Sequence, residues 1–195
     1  MFSSKAQVLN VVKGSLVQFS IPDMFFFKAT EFQSTLQEIV DVIDKKYYGI
    51  DVVVRSSAAD EDGKTNSSAG EYESVLNVPS NNPEKITKAI NRVIASYEKK
   101  RPLMPDDEVI IQEMVQNTTM SGVIFTHDLN TGAPYYVINY DDISGLTDTV
   151  TAGDGEYANR TLYIHRDSLN RVRSKRFNNL IVAIQEIEKI MDSKF

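Results

Sequence analysis

The 195-residue sequence contains no cysteine, which excludes disulfides, thiolate nucleophiles and cysteine-based zinc sites. Its two histidines, His127 and His165, lie far apart in the chain, so a histidine-rich metal site is not expected. No apolar run approaches the roughly 20 residues that span a bilayer, and the first ten residues lack the layout of a signal peptide. From these absences we expect a cytoplasmic protein with no membrane partner.

An excess of basic residues is also missing. The chain has 21 lysines and arginines against 27 acidic residues, a net charge of -6. Proteins that bind nucleic acid through its phosphates usually present a basic face, so no nucleic-acid partner is expected. The composition, with 42% hydrophobic and 25% charged residues, is typical of a globular protein. The chain length fits one large domain or two small ones.

Hydrophobic periodicity and turn residues predict an α+β fold whose two halves differ in character. Prolines at 102 and 105 indicate a boundary between a helix-rich first subdomain (1–105) and a β-rich second one (106–195) that contains a β-meander. The predicted helices are Lys5–Lys13, Glu31–Lys46, Pro83–Lys100 and one that begins near Lys175. The predicted strands are Met24–Phe27, Asp51–Ser57, Glu71–Val78, Val109–Val115, Gly122–His127, Pro134–Tyr140, Thr161–His165 and Val172–Lys175.

The strand at residues 51–57 delivers an arginine, Arg55, after three consecutive valines. Such a β-branched run is typical of a strand that is covered on both faces. Arginine is rarely buried without a partner. Arg55 is therefore expected either to pair with one of the nearby acids at positions 60–62 or to bind an anionic ligand.

A small polar loop, GKTNSSAG at residues 63–70, follows this strand. It offers hydroxyl groups and, at Gly70, close approach of the backbone to a ligand. An arginine at a strand end that faces such a loop is how proteins hold a polyphosphate. The alternative is an ordinary hairpin loop.

Two further residues are candidates for a binding site. Lys5 lies in the first turn of a predicted helix, where its charge opposes the helix dipole unless an anion binds there. Gln112 is a polar residue in the apolar strand VIIQEMV, and the backbone of Glu113–Val115 after it could meet a purine edge. A solvated lysine and a glutamine at a wet strand edge are the alternatives.

Acidic pairs in two predicted loops could hold a divalent cation. They are Asp141 with Asp142, and Asp154 with Glu156. Solvated loops are the commoner explanation for such pairs.

The segments SSKAQVL, VRSSAADED, SSAGEYESVLNV, IIQEMV and SGVIFTHD follow one another with a characteristic spacing. In this order they resemble the ATP-binding domain of the phosphoenolpyruvate synthase and pyruvate phosphate dikinase family, which is of the ATP-grasp type. The resemblance covers essentially the whole chain. It implies an ATP-grasp-like fold and a kinase-type phosphotransferase that uses ATP and Mg²⁺.

The resemblance also implies roles for particular residues. Lys5 and Arg55 would contact the phosphates and assist catalysis. Gly70 and Ser74 would belong to a loop over the nucleotide. The purine side would be formed by Gln112, Glu113 and Val115. The β-phosphate of ATP would pass to a histidine on a separate swivelling domain that serves a pyruvate-binding domain, and AMP and phosphate would be released.

The sequence departs from the family pattern at three places. Where the family has Gly-Gly-Lys near its start, this chain has Ser3-Ser4-Lys5. Where the family has a Gly-Leu-Gly-Glu segment, this chain has Gly145-Leu146-Thr147-Asp148. The family's metal-binding Asp-x-Glu and Gln-x-Arg strands would begin where the chain ends, at Phe195. We therefore expect an incomplete, catalytically inactive ATP-binding fragment without metal ligands. The alternatives are a non-catalytic nucleotide-binding or interaction module and a dikinase-type phosphotransferase acting on a glycan or a drug.

Overall fold

The computed structural model describes residues 4–58, 72–152 and 160–194. It forms two compact units: Met1–Ser15 with Ser20–Met114, and Leu16–Phe19 with Val115–Phe195. The short segment 16–19 belongs to the second unit because the Glu186 carboxylate accepts hydrogen bonds from the backbone N–H groups of Val17 and Gln18, at 2.8 and 3.0 Å.

The first unit is built on a four-stranded antiparallel sheet with the strand order β1-β4-β2-β3. Its boundary lies after Met114, whereas the sequence analysis placed it after residue 105. The difference has a physical cause: β4 forms hydrogen bonds with β1 on one side and β2 on the other, so it completes this sheet rather than starting the next. The strands are β1 (Met24–Lys28), β2 (Asp51–Ser57), β3 (Ser74–Pro79) and β4 (Glu108–Glu113).

Three helices pack on this sheet, and two of them begin at a side-chain cap. α1 (Lys5–Lys13) is capped by the Ser4 hydroxyl, and α3 (Pro83–Glu98) by the Asn82 side chain. α2 (Phe32–Tyr47) follows a 3₁₀ turn, Ala29–Glu31, and has no side-chain cap. In each helix the apolar stripe packs on the sheet.

The two faces of the first sheet are covered differently. Alternate strand residues face α2 and α3 and form the main core, which includes Phe32, Ile43, Val52, Val54, Ile90, Tyr97 and Ile111. On the opposite face Ala6 and Leu9 of α1 pack with Met24, Phe26 and Ile110. Because side chains alternate along a strand, Arg55 lies on the α1 face and its neighbour Val54 in the main core.

The second unit contains the β-meander that the sequence predicts, formed by β5 (Ser121–Phe125), β6 (Tyr135–Asp141) and β7 (Arg160–His165). α4 (Thr149–Ala152) is a short helix between β6 and β7. A 3₁₀ segment, Arg166–Arg171, follows β7, so the predicted strand at 172–175 does not form. α5 (Lys175–Lys194) packs its apolar residues on the sheet, among them Phe177, Ile181 and Ile184.

A partly buried polar contact joins α5 to the meander. The Glu188 carboxylate accepts hydrogen bonds from the Tyr136 hydroxyl at 2.7 Å and from the Arg166 guanidinium at 2.7 and 3.1 Å. Arg166 also lies 4.6 Å above the Tyr136 ring. Burial opposes ionisation of Glu188, but these hydrogen bonds outweigh it and lower the pKa of the carboxyl. The charged carboxylate therefore fixes the position of the helix on the sheet.

Gly122 allows β5 to approach β6 closely. It lies opposite Tyr140, and a Cβ atom added there would overlap the backbone carbonyl oxygen of Asn139. We expect Gly122→Ala to lower the free energy of unfolding by about 1–3 kcal/mol, because a backbone atom must move to make room. Urea denaturation followed by circular dichroism measures this change.

The matched control is Gly14→Ala. Gly14 has an ordinary φ of -75° and no atom within 4 Å of an added Cβ, so its substitution should change the free energy of unfolding by less than about 0.5 kcal/mol. Equal stabilities of the two variants would contradict the packing argument.

Candidate functional site

Arg55 is the residue around which the candidate site is built. In β2 it lies opposite Ile110 of β4 and opposite Ser74 of β3. Its Nε is buried and has no hydrogen-bond partner among the described residues. Burial lowers the pKa of the guanidinium, although arginine stays charged at neutral pH. Arg55 is thus a largely buried cation with an unsatisfied donor.

The structure brings one more predicted residue directly next to Arg55. Ser74 is the cross-strand partner of Arg55 and is exposed at the start of β3. Directly opposed residues have Cβ atoms about 4.5–5.5 Å apart, so the serine hydroxyl and the guanidinium border the same space. Gly70 and the acids at 60–62, the other predicted neighbours of Arg55, lie outside the described residues.

The N-terminus of α1 is attached to β2 close to Arg55. The backbone N–H of Ala6 donates a hydrogen bond to Ser57 Oγ at 3.0 Å. Ser57 is two residues beyond Arg55 and on the same face of the strand, about 7 Å away along it. The first turn of α1, which contains Lys5, is therefore held near Arg55.

The electrostatics of this helix end favour an anion. The first turn of α1 contains no acidic residue and carries the cation Lys5, while its backbone N–H groups form the positive end of the helix dipole. Arg55 adds a second positive charge nearby. A negatively charged group between them would satisfy the buried guanidinium and the helix end together.

Gln112 lies on the same face of the sheet. It is only 7% exposed and is opposite Val53 of β2 and Met24 of β1. Since Ile110 is the direct partner of Arg55, Gln112 is the diagonal neighbour of Arg55 and lies about 7–8 Å from it. Its amide nitrogen donates only a long hydrogen bond, 3.5 Å, to the carbonyl oxygen of Pro22.

The backbone after Gln112 is partly occupied by hydrogen bonds within the protein. The N–H groups of Glu113 and Met114 donate to the carbonyl oxygens of Asp23 and Asp51, each at 2.9 Å. A ligand could therefore meet carbonyl oxygens but not these two donors. Val115 belongs to the second unit and has a half-exposed side chain.

Three residues that the sequence analysis did not name support this arrangement: Tyr97, Glu108 and Lys28. The Tyr97 hydroxyl accepts from the N–H of Ser57 at 2.8 Å and donates to the carbonyl oxygen of Glu108 at 2.7 Å. The Glu108 carboxylate accepts from the Ser4 hydroxyl at 2.5 Å and from Lys28 Nζ at 2.9 Å. Their contacts join residues 11 to 104 positions apart and form only in the folded chain. The one local signal is the acid directly before an apolar strand.

The acidic pair at the end of β6 has structural roles. The Asp141 carboxylate accepts hydrogen bonds from the Ser144 hydroxyl, from the N–H groups of Ile143 and Ser144 and from the Thr149 hydroxyl, and these bonds lower its pKa. Asp142 pairs with Arg160 and Arg176. No group of three or more potential metal ligands occurs among the described residues, and the pair Asp154 and Glu156 lies outside them.

The two histidines show no shared site. His127 is exposed, while the His165 ring packs edge-on against Tyr135 at 4.9 Å and its Nδ1 accepts a hydrogen bond from the Asp167 N–H.

Across the described part of the chain, every helix is too short or too polar to cross a membrane.

Comparison with known proteins identifies the family. The model of the pyruvate phosphate dikinase AMP/ATP-binding domain matches residues 26–189. The prodigiosin synthesizing transferase PigC of Serratia marcescens is 32% identical over 113 residues, which are 54% of this chain and 12% of PigC. The chain thus spans a small part of that relative's length.

The matched range contains Arg55, Ser74 and Gln112, whereas Lys5 precedes it. The match also agrees with the α+β fold of helices and antiparallel sheets, so the resemblance seen in the sequence is confirmed. The chain belongs to the family of the pyruvate phosphate dikinase AMP/ATP-binding domain.

Proposed function

We propose that the α1 face of the first sheet binds ATP, with its phosphates at Arg55 and the first turn of α1. The observation that carries this proposal is the buried Nε of Arg55, which has no hydrogen-bond partner among the described residues and lies beside Ser74 and a helix whose first turn has no acidic residue. A planar guanidinium matches phosphate oxygens in two hydrogen bonds, and helix N–H groups bind further oxygens. The membership in an ATP-binding family supports the choice of nucleotide.

Each candidate residue has a role in this proposal. Arg55 and Lys5 neutralise the phosphates and the charge that develops on them during phosphoryl transfer. Ser74, with Gly70 beyond the described residues, borders the phosphates. Gln112 lies at the purine side, together with the carbonyl oxygen of Glu113 and the backbone at Val115.

The proposed reaction is that of an ATP-grasp phosphotransferase of the phosphoenolpyruvate synthase and pyruvate phosphate dikinase type. A histidine on a separate domain would take the β-phosphate of ATP, the γ-phosphate would leave as inorganic phosphate, and AMP would remain. A pyruvate-binding domain would use the phosphohistidine. Bound Mg²⁺ would supply further charge neutralisation, and we propose a cytoplasmic location for the protein.

Replacement of Arg55 tests the phosphate site. We expect Arg55→Met to raise the Kd for ATP with Mg²⁺ at least tenfold, equivalent to about 1.4 kcal/mol, because a charge-assisted pair of hydrogen bonds is lost. The Kd for adenosine should change little, since adenosine has no phosphate. Isothermal titration calorimetry measures both constants, and circular dichroism checks the fold.

Lys88→Met is the matched control for this variant. Lys88 is exposed on α3, which packs on the opposite face of the sheet, and its replacement removes the same charge. Its Kd for ATP should equal that of the wild type. If Arg55→Met also binds ATP like the wild type, Arg55 is not a phosphate ligand.

Replacement of Gln112 tests the purine side separately. Met has a similar shape but cannot hydrogen-bond a base, so Gln112→Met should raise the Kd values for adenosine, AMP and ATP by a similar factor of about two to ten. A loss confined to ATP would place Gln112 at the phosphates instead. The same titration series gives the comparison.

A further inference from the structure

We propose that Glu108 and Ser4 are positioning residues that hold Lys5 beside Arg55 before the nucleotide binds. This inference rests on the proposed ATP site. It assigns a purpose to a buried carboxylate whose hydrogen-bond partners, Ser4 and Lys28, are not among the predicted ligand residues.

The Glu108 carboxylate is unusual in its burial. It lies on β4 with only 2% of the residue exposed, on the face that α1 covers. A buried carboxylate is unfavourable unless each oxygen is paired. Here Oε1 accepts from Lys28 Nζ at 2.9 Å and Oε2 from the Ser4 hydroxyl at 2.5 Å. One carboxylate oxygen therefore pairs with the charged Lys28, and the other accepts a hydrogen bond from Ser4, the residue before α1.

Lys28 forms an ion pair with Glu108, with Nζ 2.9 Å from Oε1. Burial lowers the pKa of Lys28, but its hydrogen bonds with Glu108 and Asp106 outweigh that effect and raise it. An apolar pair of the same volume could stabilise the sheet equally well. A carboxylate at position 108 does something that an apolar side chain cannot: it accepts a hydrogen bond from the residue before the helix.

Ser4 links that hydrogen bond to the first turn of α1 and so orients the helix. Its hydroxyl donates to Glu108 and accepts from the N–H of Gln7 at 3.3 Å, which caps the first turn. Because a carboxylate only accepts, it directs the hydroxyl hydrogen toward itself and leaves a lone pair for Gln7. The cap and the contact with the sheet thus depend on the same oxygen atom.

Lys5 lies between two residues that are hydrogen-bonded to the sheet. On one side Ser4 is bound to Glu108 of β4, and on the other side the Ala6 N–H is bound to Ser57 of β2. The Tyr97 hydroxyl connects the two attachment points through the Ser57 N–H and the Glu108 carbonyl oxygen. The backbone of Lys5 is therefore fixed relative to the strand that carries Arg55.

This arrangement favours binding because the helix end is ordered in advance. A residue whose backbone must be ordered when the ligand binds weakens binding by roughly tenfold. Because the N-cap serine is hydrogen-bonded to the sheet, the helix end is ordered in a way that a flexible N-terminal loop would not be. The gain concerns the phosphates alone, since Lys5 is proposed to contact only them.

The test is a double-mutant cycle on the whole chain. We expect Ser4→Ala and Glu108→Gln each to raise the Kd for ATP about tenfold and to leave the Kd for adenosine unchanged. In the Lys5→Met background the same two substitutions should have little further effect on ATP, because the residue that they position is gone. Calorimetry measures the constants, and circular dichroism checks that each variant is folded.

The outcomes separate this inference from the ATP site itself. If the wild type does not bind ATP, the proposed function fails. If the wild type binds ATP and Arg55→Met weakens binding, but Ser4→Ala and Glu108→Gln bind normally, the positioning role alone is wrong. Effects that persist in full in the Lys5→Met background, or that extend equally to adenosine, would also overturn it. Should Glu108→Gln fail to fold, Ser4→Ala, which leaves the Glu108–Lys28 pair in place, decides the matter by the same criteria.

Discussion

The position of β4 between β1 and β2 is the constraint on which the first unit depends. This strand forms hydrogen bonds on both sides and thereby joins segments of the chain that are far apart in sequence. Its register places Ile110 opposite Arg55 and Glu108 opposite Ser57. A shift by one residue would exchange the two faces of the strand and move these side chains into the opposite core.

The same sheet separates the main core from the candidate site. One face is filled by α2 and α3 and supplies most of the buried apolar surface. The other face has a smaller apolar cluster under α1 and, beside it, Arg55 with its unsatisfied nitrogen. A protein can keep such a cation in place because the stabilising contacts are made on the opposite face, where no ligand has to enter.

The membership in the AMP/ATP-binding family and the local geometry around Arg55 support the proposed ATP site independently of each other. The family match depends on sequence across residues 26–189. The helix end, the cross-strand serine and the Arg55 Nε, which has no hydrogen-bond partner among the described residues, are features of the folded chain. Ser4 lies before the matched range, and the sequence has serine there instead of a family glycine. Its hydrogen bonds to Glu108 and Gln7 show how this chain arranges that end of the helix.

Local signals were sufficient for much of the fold. The β-meander was predicted because its turns depend on neighbouring residues, and the observed bounds of α1 agree with the prediction. The prediction placed a strand at Val172–Lys175 and missed the 3₁₀ segment at Arg166–Arg171. It also ended the first subdomain too early to include β4, since the partners of a strand cannot be recognised from the strand alone.

The sequence by itself determined the α+β class, the family and the residue types of the candidate site, because motifs and periodicity are properties of short segments. Only the tertiary structure decided which residues meet. It placed Ser74 opposite Arg55, brought the first turn of α1 to Ser57, and buried Glu108 against Ser4. These contacts join residues 19 to 104 positions apart, and strand register and helix packing, which depend on the whole core, determine them.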